Sequence, residues 1–151
     1  MEIQRAKVGR EETFTMSKVF IDTNILVYSM DNHNKLKKKK CRDLLRKAHH
    51  DLQGVISTQV MQEFYVAAVK KLKADPLIVK DIIHSLDRFE TVTITPEIIN
   101  EAIDCSIISR ISFWDALIIS AAQGARCEKI WTEDLNHGQI IRGVLIENPL
   151  I

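Results

Sequence analysis

The sequence has no apolar run approaching the roughly 18 residues that a membrane-spanning helix requires. Nothing at its start reads as a basic stretch followed by an apolar stretch and a small-residue cleavage site, so a secreted protein is not expected. Cysteine is sparse and odd in number: Cys41, Cys105 and Cys127 lie far apart, with no CxxC pair and no zinc spacing. Reduced thiols in a cytoplasmic protein are the expectation. A dominant charge is also missing, since 21 Lys and Arg face 20 Asp and Glu. That balance neither favours nor excludes a nucleic-acid partner, because basic groups need only be clustered. There is no internal repeat and no Pro/Gly/Ser-rich linker. The 151 residues suit one domain with a single core.

What is present is an alternation of short apolar runs and amphipathic segments. Residues 1–15 are polar and aperiodic and read as an extension or tail, with the domain spanning 16–151 from the second methionine, Met16. Strands are expected at Val19–Ile21, Gly54–Ser57, Thr91–Ile94, Lys129–Thr132 and Gly143–Asn148. Helices are expected at Asn24–Met30, Lys35–His50, Thr58–Leu72, from Asp75-Pro76 to about Phe89, from Thr95-Pro96 to about Ser109, and at Trp114–Gly124. Strands alternating with helices imply an α/β fold: a mostly parallel central sheet of four or five strands, flanked by helices on both faces. Ligands bind such sheets beyond the carboxyl ends of the strands.

Four carboxylates fall in unexpected places. Asp22 ends the first strand and Asp134 follows another strand, so both point to that rim. Glu63 interrupts "VMQEFYVAAV" and Asp115 interrupts "SFWDALIISAA", both apolar helical segments. Each has a plain structural alternative. Asp22 could cap the helix that follows, Glu63 could be exposed, Asp134 could be a solvated loop acid, and Asp115 could complete a capping box with Ser112. Together they suggest one site. Convergent carboxylates repel each other and favour protonation unless a hard cation such as Mg²⁺ or Mn²⁺ offsets the charge. The chemistry indicated is metal-dependent phosphoryl or phosphodiester transfer.

The segments "FIDTNILVY", "QEF", "SFWDALIISAA" and "IWTEDLNHGQ", in that order, resemble the PIN-domain family, specifically VapC-like ribonuclease toxins of toxin–antitoxin pairs. The resemblance runs from about Lys18 to the end of the chain. It implies a PIN fold and endonucleolytic cleavage of RNA by metal-activated water, leaving 5′-phosphate and 3′-hydroxyl ends. Carried over by position, Asp22, Glu63, Asp115 and Asp134 form the acidic site. Asp22 and Asp115 are then the principal metal ligands, with Glu63 and Asp134 joining directly or through water. Asn24 would hydrogen-bond Asp22, and Thr132 is the hydroxyl preceding the last acid. Glu133 competes with Asp134 by adjacency alone. The resemblance also implies a homodimer held inactive by a small antitoxin, with no membrane association.

Other groups are read more plainly. The run Lys35–Lys40 is a solvated face or an RNA-contacting edge. Lys18, Arg110 and Arg142 are further candidates near the rim. His137 is expected to serve loop structure, and Trp114 and Trp131 to be packing anchors. A phosphatase or receiver domain is the alternative within Mg²⁺ chemistry, but Asp22-Thr23-Asn24 lacks the second acid of a phosphatase motif. A non-catalytic adaptor that binds a basic partner would keep all four acids.

Overall fold

The structure is a computed structural model and describes residues 16–151; the expected tail at 1–15 lies outside the described residues. Six strands form one sheet in the order β3-β2-β1-β4-β6-β5. They are β1 (Lys18–Ile21), β2 (Gln53–Ser57), β3 (Glu90–Val92), β4 (Lys129–Trp131), β5 (Ile140–Ile141) and β6 (Val144–Glu147). All neighbouring pairs are parallel except β5 with β6. Val19, Phe20 and Ile21 are consecutive and fully buried. Successive strand residues point to opposite faces, so both faces of β1 are covered, as a parallel sheet requires.

Six helices cover it: α1 (Thr23–Tyr28), α2 (Lys35–His50), α3 (Thr58–Lys70), α4 (Pro76–Ser85), α5 (Pro96–Ser109) and α6 (Phe113–Gly124). The proline-marked starts are as expected. Asp75 caps α4 through the Leu77 amide and Thr95 caps α5 through the Ile98 amide, each with proline just inside. The chain after α4 tightens into a 3₁₀ turn at Leu86–Arg88 rather than continuing as α-helix to Phe89. Gly54 in β2 is imposed by packing, because a Cβ there would meet the Phe89 ring at 2.6 Å.

Helix α6 is the most deeply set: every residue from Ala116 to Ala122 is buried. This fixes its first turn, and hence Asp115, against the end of the sheet. The sixth strand, β5, is the one element the sequence reading did not anticipate. It pairs with β6 through a two-residue turn, Arg142-Gly143, in which both residues have positive φ (51° and 79°). That is the backbone of a type I′ hairpin.

Candidate active site

The carboxyl ends of β1 and β4 are tied together, with the Asp22 amide donating to the Trp131 carbonyl at 3.0 Å. Asp22 is 6 % exposed and caps α1. One carboxylate oxygen accepts from the Thr23 amide at 2.7 Å, and the other accepts from the Thr132 hydroxyl at 2.8 Å. Capping and rim placement therefore coexist. Burial pushes the Asp22 carboxyl up to about 6, against the pull of its hydrogen bonds from Thr132 and Thr23. The charges of Asp134 and Glu63 push in the same direction as burial.

The other three acids are more open. Glu63 is exposed on α3, where it lines a cleft of about 920 Å³ together with Thr23, Asn24, Gln59, Trp114 and Asp134. Its neighbour Val66 is likewise exposed and, with Ala67, lines the same cleft, while Val60 and Phe64 lie in the core, so Glu63 stands where the helix passes from core to cleft wall. Partial burial raises the Glu63 carboxyl, the neighbouring Gln59 amide opposes the rise, and the charges of Asp115 and Asp134 raise it further. Asp115, half-buried in the first turn of α6, has its amide held by the Ser112 hydroxyl oxygen at 3.1 Å. Its carboxyl is raised by burial first and by Asp134 second, with Ser112 opposing both.

Charge thus links Asp22 to Glu63 and Asp134, and Asp115 to Glu63 and Asp134, and the carboxylates of Asp22 and Asp134 are oriented by neutral donors. Among the described residues five Lys or Arg ion pairs and one His33–Asp31 contact form, and none involves Asp22, Glu63, Asp115 or Asp134. Of the four buried side-chain polar atoms without a partner among the described residues, three come from residues lining the cleft: Thr23 Oγ1, Asn24 Oδ1 and Gln59 Oε1. Unpaired acceptors are costly when buried, so their concentration in one place marks a surface built to receive something polar.

Several expectations change. Asn24 does not bond Asp22; its amide donates to Asp134 at 3.1 Å and more weakly to Thr132 at 3.5 Å. Thr132 takes over the task of orienting Asp22 and also accepts from the Asp134 amide at 3.1 Å. Glu133 and Asp134 are clearly distinguished. Glu133 accepts from the Tyr28 hydroxyl and pairs with Lys37 at 3.4 Å, and Lys37 sits 4.4 Å from the Tyr28 ring centroid. Trp131 is a packing anchor, 1 % exposed, with its indole N–H on Glu147. Trp114 is not: it is 64 % exposed and lines the cleft.

Lys18 and Arg142 do not reach the rim. Lys18 starts β1, so it lies at the amino end of the sheet, paired with Glu90 at 2.8 Å. Arg142 sits in the β5–β6 turn, paired with Glu101 at 2.7 Å. His137 serves loop structure, its Nδ1 accepting from the Asn148 amide at 2.9 Å. The three cysteines are buried and free, and burial pushes the Cys41 and Cys127 thiols up to about 11 and about 12. No helix among the described residues is long and apolar enough to cross a membrane.

Whether the acids suit a divalent cation follows from their geometry. Among the described residues no three His, Cys, Asp or Glu side chains stand close enough to form a ready-made metal cage. Mg²⁺ does not ask for one: it keeps several waters and is held by one or two carboxylates plus substrate phosphate. Oxygen donors without cationic partners fit that mode of binding.

The fold and the site define a class. The PIN-domain family profile matches residues 19–142, and the chain belongs to the PIN-domain family. Its fold is similar to that of VapC20 from Mycobacterium tuberculosis, a sarcin–ricin-loop-cleaving toxin, at a TM-score of 0.62 and 13% identity over 77% of this chain and 91% of that one. It is also similar to a chain of VapBC2 from Rickettsia felis bound to a promoter DNA fragment, at a TM-score of 0.63 and 20% identity over 86% and 97%. A toxin–antitoxin complex from Klebsiella pneumoniae gives a TM-score of 0.62 at 22% identity, covering 84% and 95%. A comparison with curated protein sequences finds no match.

Proposed function

We propose that the protein is a divalent-cation-dependent endoribonuclease and the toxin of a toxin–antitoxin pair. The observation that carries this reading is the cleft's charge arrangement. The charges of Asp134 and Glu63 bear on Asp22, those of Asp115 and Asp134 on Glu63, and that of Asp134 on Asp115; Glu63 and Asp134 line the cleft of a PIN domain, and none of the four is paired with a basic side chain. Similarity to a chain named as a sarcin–ricin-loop-cleaving toxin, and to a toxin–antitoxin complex, supports RNA as substrate and a small antitoxin as partner.

In this reading Asp22 and Asp115 hold Mg²⁺ or Mn²⁺, with Glu63 and Asp134 completing the shell directly or through water. When bound, such an ion lowers the pKa of a water and offsets charge at phosphorus. The chain's own residues do the placing. Thr132 and the Thr23 amide fix both Asp22 oxygens, leaving each with a free lone pair. Asn24 fixes Asp134, and the Ser112 hydroxyl oxygen holds the Asp115 backbone amide in the first turn of α6. Because none of these donors is charged, the negative potential is left for the cation and for the phosphate it brings. The exposed stripe Ile99, Ile103 and Ile107 on α5 supports a homodimer, since exposed apolar helical faces mark contacts between chains.

The test is cleavage of cellular RNA by the purified full chain with Mg²⁺ or Mn²⁺ and with EDTA. Cutting only with the ion, and its loss in a folded Asp22→Asn protein, is the expected result. An active Asp22→Asn protein would overturn the assignment.

A further inference from the structure

Trp114 is the most conspicuous group that the acid chemistry leaves unused. An indole that is 64 % exposed is unusual where packing sets a residue's position, and the core already holds the chain's other tryptophan, Trp131. Trp114 directly precedes Asp115 and shares the cleft lining with Glu63 and Asp134. Its surroundings hold it in place rather than cover it. The amide of the buried Gln59 side chain donates to the Trp114 carbonyl at 3.3 Å and so fixes the indole's backbone at the cleft wall. The Phe113 ring props the indole at 5.2 Å in a T-shaped contact, and Phe113 itself packs on the core.

We propose that Trp114 is the platform on which a base next to the scissile phosphate stacks, and thus a positioning residue for single-stranded RNA. The inference rests on the endoribonuclease reading above. A phosphate seated at the acids has a nucleoside on each side, and the exposed indole is an aromatic face in the wall of the cleft that Glu63 and Asp134 line. Tyr28 is the other large aromatic side chain of the lining, but Lys37 already occupies its face at 4.4 Å. A base can stack only if it is free of a duplex, so the proposal limits the substrate to single-stranded or looped RNA. Stacking tolerates any base, so Trp114 contributes position and affinity more than sequence choice.

Two measurements test this. First, Trp114→Ala, Trp114→Phe and the unaltered chain are compared for cleavage of a looped RNA in Mg²⁺, alongside their melting temperatures. Trp114→Ala is expected to lose roughly 10–100-fold in kcat/KM, mainly through KM, with an unchanged melting temperature; Trp114→Phe recovers most of the loss. Second, indole emission is followed while single-stranded oligoadenylate or duplex RNA is added to the Asp22→Asn protein in Mg²⁺. Trp131 is buried and serves as a constant background, so quenching by oligoadenylate and not by duplex reports Trp114. Full activity of Trp114→Ala together with unquenched emission would overturn the proposal. So would a Trp114→Ala protein that cuts normally but no longer self-associates or binds a protein partner, because the indole would then be a protein contact. An unaltered chain that cuts no RNA removes the nuclease reading, and the emission experiment still decides whether bases stack on Trp114.

Discussion

The two ends of the central sheet are built on opposite rules. At the amino end charges are matched: Lys18, at the start of β1, pairs with Glu90 at the start of β3 and also donates to the Ala125 carbonyl at 3.1 Å. At the carboxyl end Asp22, Glu63, Asp115 and Asp134 have no basic partner: Asp22 takes the Thr23 amide and the Thr132 hydroxyl, and Asp134 takes the Asn24 amide. Native structures satisfy buried polar groups where stability alone is at stake. The unmatched end is therefore where the fold has been left to be completed by a ligand.

The largest expected effect comes from removing charge at the unmatched end. Asp22→Asn keeps the shape and the Thr23 contact but deletes the charge, and RNA cleavage in Mg²⁺ should fall by roughly a thousandfold or more. Circular dichroism and melting of the same protein check that the fold persists.

The unmatched end should also be the costlier one to fold. The Asp22 carboxyl is raised from 3.8 to about 6 in the folded protein, so between those values the folded chain binds more protons than the unfolded one. Stability without metal therefore falls as pH rises from about 4 to about 6, and stays lowered above that. Glu63 and Asp115 shift in the same direction and add to the effect. For Asp22 the cost at pH 7 is on the order of 2–3 kcal/mol. In EDTA at pH 7, Asp22→Asn should melt roughly 5 °C above the unaltered chain, with the gap closing towards pH 4. Mg²⁺ should stabilise the unaltered chain more than the variant. A gap that widens on acidification would contradict the assignment of burial as the cause.

Much of this was legible in the sequence because it is local. Asp75-Pro76, Thr95-Pro96 and Ser112 are start signals whose physics lies within one turn, and the structure uses all three as caps. Asp22 and Asp134 were readable as rim residues because a short apolar strand ends just before each. The rest depends on long-range packing. Asn24 is two residues from Asp22 but bonds Asp134, a partner set by the β1–β4 register. The exposure of Trp114 cannot be read from periodicity, since a first-turn residue can face either the core or the cleft mouth. Strand β5 has only two residues, and its Arg142-Gly143 turn lacks the Asn-Gly or Asp-Gly signal of a type I′ hairpin. Gln59 gave no sign at all, because a polar residue in the first turn of a helix is ordinary there.

Adjacent residues sharpen the contrast at the carboxyl end itself. Glu133 is matched by Lys37 and Tyr28, and Asp134 has only the Asn24 amide and no cation. Asp134→Asn is therefore expected to lower cleavage by about a hundredfold. Glu133→Gln keeps a partner for Tyr28 and should stay within about fivefold of the unaltered chain, as befits a partly exposed pair. Equal losses from both would mean that the last acid had been misassigned.

The smallest effect is expected at the matched end. Lys18→Met removes the Glu90 pair and the contact with the Ala125 carbonyl while keeping much of the aliphatic stem. The pair is partly exposed, with side chains 28% and 41% accessible, so water screens most of its energy. The expected loss is at most about 1 kcal/mol, or roughly 2–4 °C in melting temperature. Salt should shrink the difference further. Cleavage should be unchanged, because Lys18 stands at the opposite end of β1 from Asp22. A Lys18→Met protein that folds normally but cuts poorly would break the contrast, since it would show that charge at the amino end is felt at the acids through the length of the strand.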